Sequence, residues 1–256
     1  MPLHVAESGQ PAAPSLVLLH GVGASSWMWW HQVAALGDLH CLAVDLPGHG
    51  RSAGVAWDSL AATADLVAEV IRERGAGGRA HVVGLSLGGH VALALLERHA
   101  AVLETVVVSG VTAAPWPGRA LLPLYVRLAA AGRGPGPLAA RARALGLPPA
   151  QQAAYVENAL AMADDAYRRA YREVSAYRAP AALAAVPVPT LVLAGGRESR
   201  GITAAVRTLP ALLPRAEGRV APGLGHGWNV EDPELFTATV RAWVRGTPLP
   251  ARLRRP

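Results

Sequence analysis

Through the first part of the chain, short, largely apolar runs alternate with longer stretches whose apolar residues recur every three or four positions. Ser15 to Leu19, Leu39 to Val44, Ala80 to Val83 and Leu103 to Val108 are runs of the first kind and predict buried strands. Leu3 to Glu7 predicts a further short strand, closed by the Ser8-Gly9 turn. Leu60 to Arg72 is of the second kind, with Leu60, Ala64, Val67 and Ile71 on one stripe and Asp58 or Ser59 as the cap. Another helical pattern runs from Ser86 to about Arg98. Largely apolar strands alternating with amphipathic helices predict an α/β fold, a mostly parallel sheet with helices on both faces. Function is then expected at the carboxyl ends of the strands.

From Val111 to about Ala182 the pattern changes. Strand-like runs vanish, and Ala- and Arg-rich helical segments are separated by Pro115-Trp116-Pro117-Gly118, by Gly132 to Pro137 and by Leu147-Pro148-Pro149. The alternation resumes with a strand at Thr190 to Ala194, a helix at Thr203 to Leu212, a strand at Gly218 to Ala221 and a helix at Pro233 to Val244. The expected organisation is a core formed by 1–111 and 183–246, a small helical cap inserted as 112–182, and a poorly ordered tail at 247–256, where prolines and arginines concentrate.

Composition narrows the class. Of 256 residues, 52% are apolar and mean hydropathy is +0.25, which excludes a disordered chain. Apolar stretches are interrupted before they could span a bilayer, and Met1 to Pro14 lacks the pattern of a signal peptide, so a cytoplasmic location is expected. Cys41 is the single cysteine, so no intramolecular disulfide can form. All 24 basic residues are arginine, giving a net charge of +6, but they form no nucleic-acid module and are not interleaved with stacking aromatics. A solvated basic surface is the reading, with neither nucleic acid nor membrane as partner. Oligomeric state is not indicated.

Candidate chemistry concentrates where the Ala80 to Val83 strand meets Gly84-Leu85-Ser86-Leu87-Gly88. Strand, sharp turn and helix follow at once, and small residues two positions either side of Ser86 allow a strained backbone there. The pentad alone is read equally well as a serine capping a helix. It resembles the nucleophile elbow of the α/β-hydrolase family, and other parts of that pattern follow in order over nearly the whole chain. One strand alone precedes the Ser15 to Leu19 strand, so the family's usual first edge strand is expected to be missing.

A nucleophilic serine needs a base, a group to orient it, and donors for the oxyanion. Of nine histidines, His226 follows the last predicted strand, in the Gly-flanked loop Pro222 to Asn229. It reads as the base, or else as a structural loop residue. The Leu103 to Val108 strand ends in Ser109-Gly110-Val111-Thr112 and offers no acid, whereas the Thr190 to Ala194 strand ends in Gly195-Gly196-Arg197-Glu198. Glu198 stands where the family more often carries aspartate, and reads as the acid or as a surface partner of Arg197 or Arg200. Glu231 and Asp232 read as caps of the last helix. The resemblance implies oxyanion donors at the backbone N–H of Leu87 and of Val22, in the loop His20-Gly21-Val22-Gly23, with His20 as a brace. His49, in Pro47-Gly48-His49-Gly50, reads as a structural loop residue.

Within this family a serine excludes the aspartate-dependent dehalogenases and epoxide hydrolases. It implies acyl transfer, hence hydrolysis of an ester, thioester or lactone by a carboxylesterase-like enzyme with a Ser86-His226-Glu198 triad. Three alternatives stay open on the same residues: carbon–carbon bond hydrolysis, a cofactor-free haloperoxidase-like activity, and slow-turnover reception of a small ligand. No metal-ligand spacing and no phosphate loop occur, so neither metal nor cofactor is expected. Trp27, Trp116 and Trp228 are candidate pocket walls for a small apolar or aromatic ester-type substrate.

Overall fold

The computed structural model describes residues 2–124, 134–144 and 147–256. In chain order its strands are β1 (Val5–Ser8), β2 (Ser15–Leu19), β3 (His40–Val44), β4 (Ala80–Leu85), β5 (Leu103–Ser109), β6 (Thr190–Gly195) and β7 (Ala216–Ala221). The helices are α1 (Trp30–Ala35), α2 (Leu60–Arg74), α3 (Leu87–His99), α4 (Pro135–Ala144), α5 (Pro149–Ala161), α6 (Asp164–Ala176), α7 (Arg200–Leu212), α8 (Trp228–Glu231) and α9 (Pro233–Arg245). The sheet order is β1-β3-β2-β4-β5-β6-β7. β1 pairs antiparallel with β3 and every other pairing is parallel, the architecture the apolar runs predict. β1 forms one edge, with no strand beyond it among the described residues.

Period-two alternation divides the strand residues between two cores. Val17, Leu19, Leu42, Val82, Val106, Val108 and Val192 pack with α2, α3 and α7 on one face. Leu16, Leu18, Cys41, Val83, Val107 and Leu191 pack on the other with Trp29, Trp228, Phe236 and Val240. Because both faces are covered, β2 is buried at all five positions, which explains a run with no polar alternation. The α2 stripe is held at its start by Ser59, whose hydroxyl accepts from the Ala62 N–H at 3.0 Å.

The strand order reverses direction between β2 and β4, leaving a crevice above their carboxyl ends. In segment 112–182 no strand occurs among the described residues, which form α4, α5 and α6. Asn158 of α5 donates to the Gly23 carbonyl at 2.7 Å, and Glu173 of α6 accepts from the Leu60 N–H. The two ends of the segment are tied together where Ala179 N–H donates to Ala113 O at 3.0 Å.

The tail departs from expectation. Val220 and Arg254 exchange backbone hydrogen bonds of 2.8 and 2.9 Å, and Leu253 is buried in the α9-side core. Residues 247–256 are therefore docked on β7, because one apolar side chain and one backbone pairing outweigh a breaker-rich composition.

Candidate active site

Ser86 occupies the turn between β4 and α3 with φ 57° and ψ −111°. Among the described residues it is the only non-glycine with positive φ. Such a conformation costs about 1–3 kcal/mol and persists only where the surroundings over-determine it. The surroundings here are backbone. A Cβ on Gly84 would lie 2.2 Å from the Gly88 oxygen, and one on Gly88 would lie 2.1 Å from the Leu19 oxygen. The two glycines of the pentad are thus required by the close approach of α3 to β4 and to the end of β2.

The loop after β2 is locked to this turn. Gly88 N–H donates to His20 O at 2.9 Å, and Gly21 lies against Ser86, where a Cβ would sit 3.5 Å from the serine Cβ. His20 braces the loop from beneath: Nδ1 lies 2.8 Å from Gly21 O, and Nε2 accepts from the Leu46 N–H at 3.0 Å. Its ring packs 5.0 Å from that of His49. Burial pulls His20 down to about 4 and His49 to about 3, and the ring bonds to Gly21, Leu46 and Pro47 make both rings parts of the loop framework. Among the described residues, neither the Val22 nor the Leu87 N–H donates a hydrogen bond within the protein.

β5 and β6 bring the second half. Ser86 N–H donates to Ser109 O at 2.8 Å. The next residue, Gly110, has φ 68°, and a Cβ there would lie 2.7 Å from His226 Cε1 and 3.2 Å from Glu198 Oε1. A glycine at this point leaves room for the ring and the carboxylate beside the serine's own strand. His226 Nδ1 is 2.5 Å from Glu198 Oε1, and Glu198 Oε2 accepts from the Gly195 N–H at 2.7 Å. The carboxylate is only 1% exposed and the imidazole 47%, so the acid is fixed and the ring has freedom toward solvent. No hydrogen bond joins the Ser86 hydroxyl to His226 among the described residues. Arg197 does not compete for Glu198: it pairs with Glu231, which also accepts from the Gly225 N–H and so ties down the His226 loop. Sequence reading had made Glu231 a helix cap, a part taken by Asp232 alone, which accepts from the Leu235 N–H at 3.1 Å.

A cavity of about 280 Å³ lies between the loop after β2, helices α4, α5 and α6, and the start of α8. Its walls include Val22, Trp27, Met28, Leu138, Tyr155 and Asn229, and Arg141 is the one charged residue among those described. Trp27 lines this cavity, edge-on to Tyr155 at 5.9 Å. Trp228 is not: it is fully buried, its N–H donates to Ser109 Oγ at 2.9 Å and its ring packs on Phe236. Trp116 is not either; it faces Tyr171 and a separate depression bordered by Ile202 and Thr208. Proximity to His226 in sequence had suggested Trp228, but the helical turn of α8 directs it into the core. Tyr155 was missed, since nothing local in an Ala-rich helix marks the face that meets Trp27. No cluster able to hold a metal ion occurs among the described residues, and no helix there is long and apolar enough to cross a membrane.

Known proteins share this fold. A sequence model of the alpha/beta hydrolase family matches residues 16–239, and the chain belongs to that family. It is 28% identical to an AB hydrolase superfamily protein of Gibberella zeae, over 95% of this chain and 84% of that one. Among solved structures it is similar to a thermophilic esterase from Thermogutta terrifontis, with a TM-score of 0.77, 24% identity, and 95% and 93% of the two chains covered. It is likewise similar to the enol-lactonase from Burkholderia xenovorans, with a TM-score of 0.78, 24% identity, and 95% and 96% covered.

Proposed function

We propose that the protein is a serine hydrolase that cleaves carboxylic esters, thioesters or lactones through an acyl-enzyme. The observation that carries this reading is the Glu198–His226 pair packed around Gly110, next to the residue whose carbonyl binds Ser86. In this reading Glu198 accepts from Nδ1–H of His226, which leaves Nε2 free to take the Ser86 proton. Ser86 Oγ attacks the substrate carbonyl. The oxygen that gains charge is received by the N–H groups of Val22 and Leu87, and the helix dipole of α3 favours it further. The imidazolium then returns its proton to the leaving oxygen or sulfur, and water, activated by the same ring, releases the acid. Approach of the half-exposed ring to the hydroxyl completes the set, since such bonds are often long in a free enzyme and tighten when substrate excludes water.

The cavity of Trp27, Met28, Leu138 and Tyr155 suits an apolar or aromatic acyl or alcohol group, in keeping with the esterase and lactonase among its structural relatives. Segment 112–182 serves as the cap over that substrate. The test is turnover of p-nitrophenyl esters of increasing acyl length. The expected result is hydrolysis that Ser86→Ala abolishes. Full activity in Ser86→Ala would overturn the reading.

A further inference from the structure

The Ser86 carbonyl oxygen carries two hydrogen bonds, one from the His90 backbone N–H at 3.1 Å and one from His90 Nδ1 at 2.9 Å. That carbonyl and the Leu87 N–H belong to one planar peptide unit, so whatever fixes the first fixes the direction of the second. We propose that His90 is a positioning residue, which holds the Ser86–Leu87 peptide so that the Leu87 N–H stays aimed at the substrate oxygen. The inference rests on the reading of Leu87 as an oxyanion donor.

Three observations carry it. Ser86 is strained, with ψ −111°, and the ladder of α3 holds the peptide that follows by one bond of 3.1 Å, to which the His90 ring adds a second, shorter one at 2.9 Å. The partners of the ring settle its tautomer: a carbonyl can only accept, so Nδ1 bears the proton, and Nε2 is left to accept from the Thr112 N–H at 3.4 Å. The ring is also clamped edge-on by Tyr177 at 4.9 Å, which joins the two ends of segment 112–182, Thr112 and Tyr177, to the peptide behind the nucleophile. Burial and the nearby His226 hold His90 down to about 4, with desolvation the larger cause, so it donates as a neutral ring under ordinary conditions. Donation to the carbonyl polarises the peptide and strengthens the N–H on its other side.

The experiment compares His90→Leu, which removes the donor, with His90→Asn, whose amide nitrogen can occupy the place of Nδ1. Rates on p-nitrophenyl acetate are expressed per active site titrated with a fluorophosphonate, so that only folded enzyme counts. The expected result is a kcat lowered about 10- to 100-fold in His90→Leu with KM unchanged, below the loss for deleting an oxyanion donor outright. Affinity for phenylboronic acid, a tetrahedral mimic, should fall in the same proportion. His90→Asn should recover kcat to within a few-fold of the parent protein. Unchanged kcat per titrated site in His90→Leu overturns the proposal while leaving the serine mechanism intact, as does equal loss in the Leu and Asn variants. Full activity in Ser86→Ala would instead remove the hydrolase reading and this inference with it.

Discussion

The two sides of the crevice are built by different means. Below it, the elbow, the loop after β2 and the Glu198–His226 pair are positioned by backbone: glycines at 84, 88 and 110 with no room for a Cβ, and carbonyls of Leu19, His20 and Ser109 within contact. Above it, the cavity wall comes from side chains of α4 and α5 meeting Trp27 and Met28. A scaffold fixed by backbone can keep its chemistry while the wall changes, so alterations below should reduce rate for every substrate and alterations above should re-rank substrates.

The largest effect is expected for Glu198→Gln. The residue keeps its shape and its place in the fold but loses the charge that holds the His226 tautomer, and kcat should fall about 10³- to 10⁴-fold with the melting temperature nearly unchanged. A rate within a few-fold of the parent would assign the acid to another carboxylate. Gly110→Ala comes next: its methyl would press on His226 and Glu198, and a displacement of that kind costs about 100-fold in rate. If Gly110→Ala hydrolyses esters at the parent rate, the ring does not work from where it sits.

The lower side also has a pH signature. Unfolded, each histidine gains its proton near 6.5, whereas folded His20 and His90 resist to about 4 and His49 to about 3. Between those values the unfolded chain binds more protons. Stability should therefore be independent of these rings above pH 6.5 and fall as pH drops toward 4, by roughly 3 kcal/mol for each ring. Urea unfolding at pH 7, 5.5 and 4 measures it, and a flat profile would contradict burial of the neutral rings. The smallest catalytic effect belongs to the upper side. Trp27→Ala should lower kcat/KM for aromatic and long-chain esters about tenfold while sparing acetate, whereas Trp228→Ala, in the core, should cost about 3–5 kcal/mol of stability. Equal loss across all esters for Trp27→Ala would erase the distinction between the two sides.

The same contrast explains what could be read before the structure. Ser86, its flanking glycines and the His-Gly loop were legible because backbone demands are local: a strained turn and a close approach require particular residues at fixed spacing. The strands were legible because burial on both faces leaves runs such as Leu16 to Leu19 without a polar position. The cavity wall was not, since Tyr155 and Leu138 gain their meaning only from what α4 and α5 face across space. Trp228 misled for the same reason, an indole N–H satisfied by a serine more than a hundred residues away being invisible in sequence. The tail misled because Leu253 is a single apolar residue among breakers.

The most direct measurement is the site of covalent capture. Incubated with a fluorophosphonate, the protein should gain one adduct, mapped by mass spectrometry to Ser86, with ester hydrolysis lost in step, and His226→Ala should be labelled far more slowly. An adduct elsewhere, or hydrolysis that persists after Ser86 is blocked, would show that the strained serine is not the nucleophile.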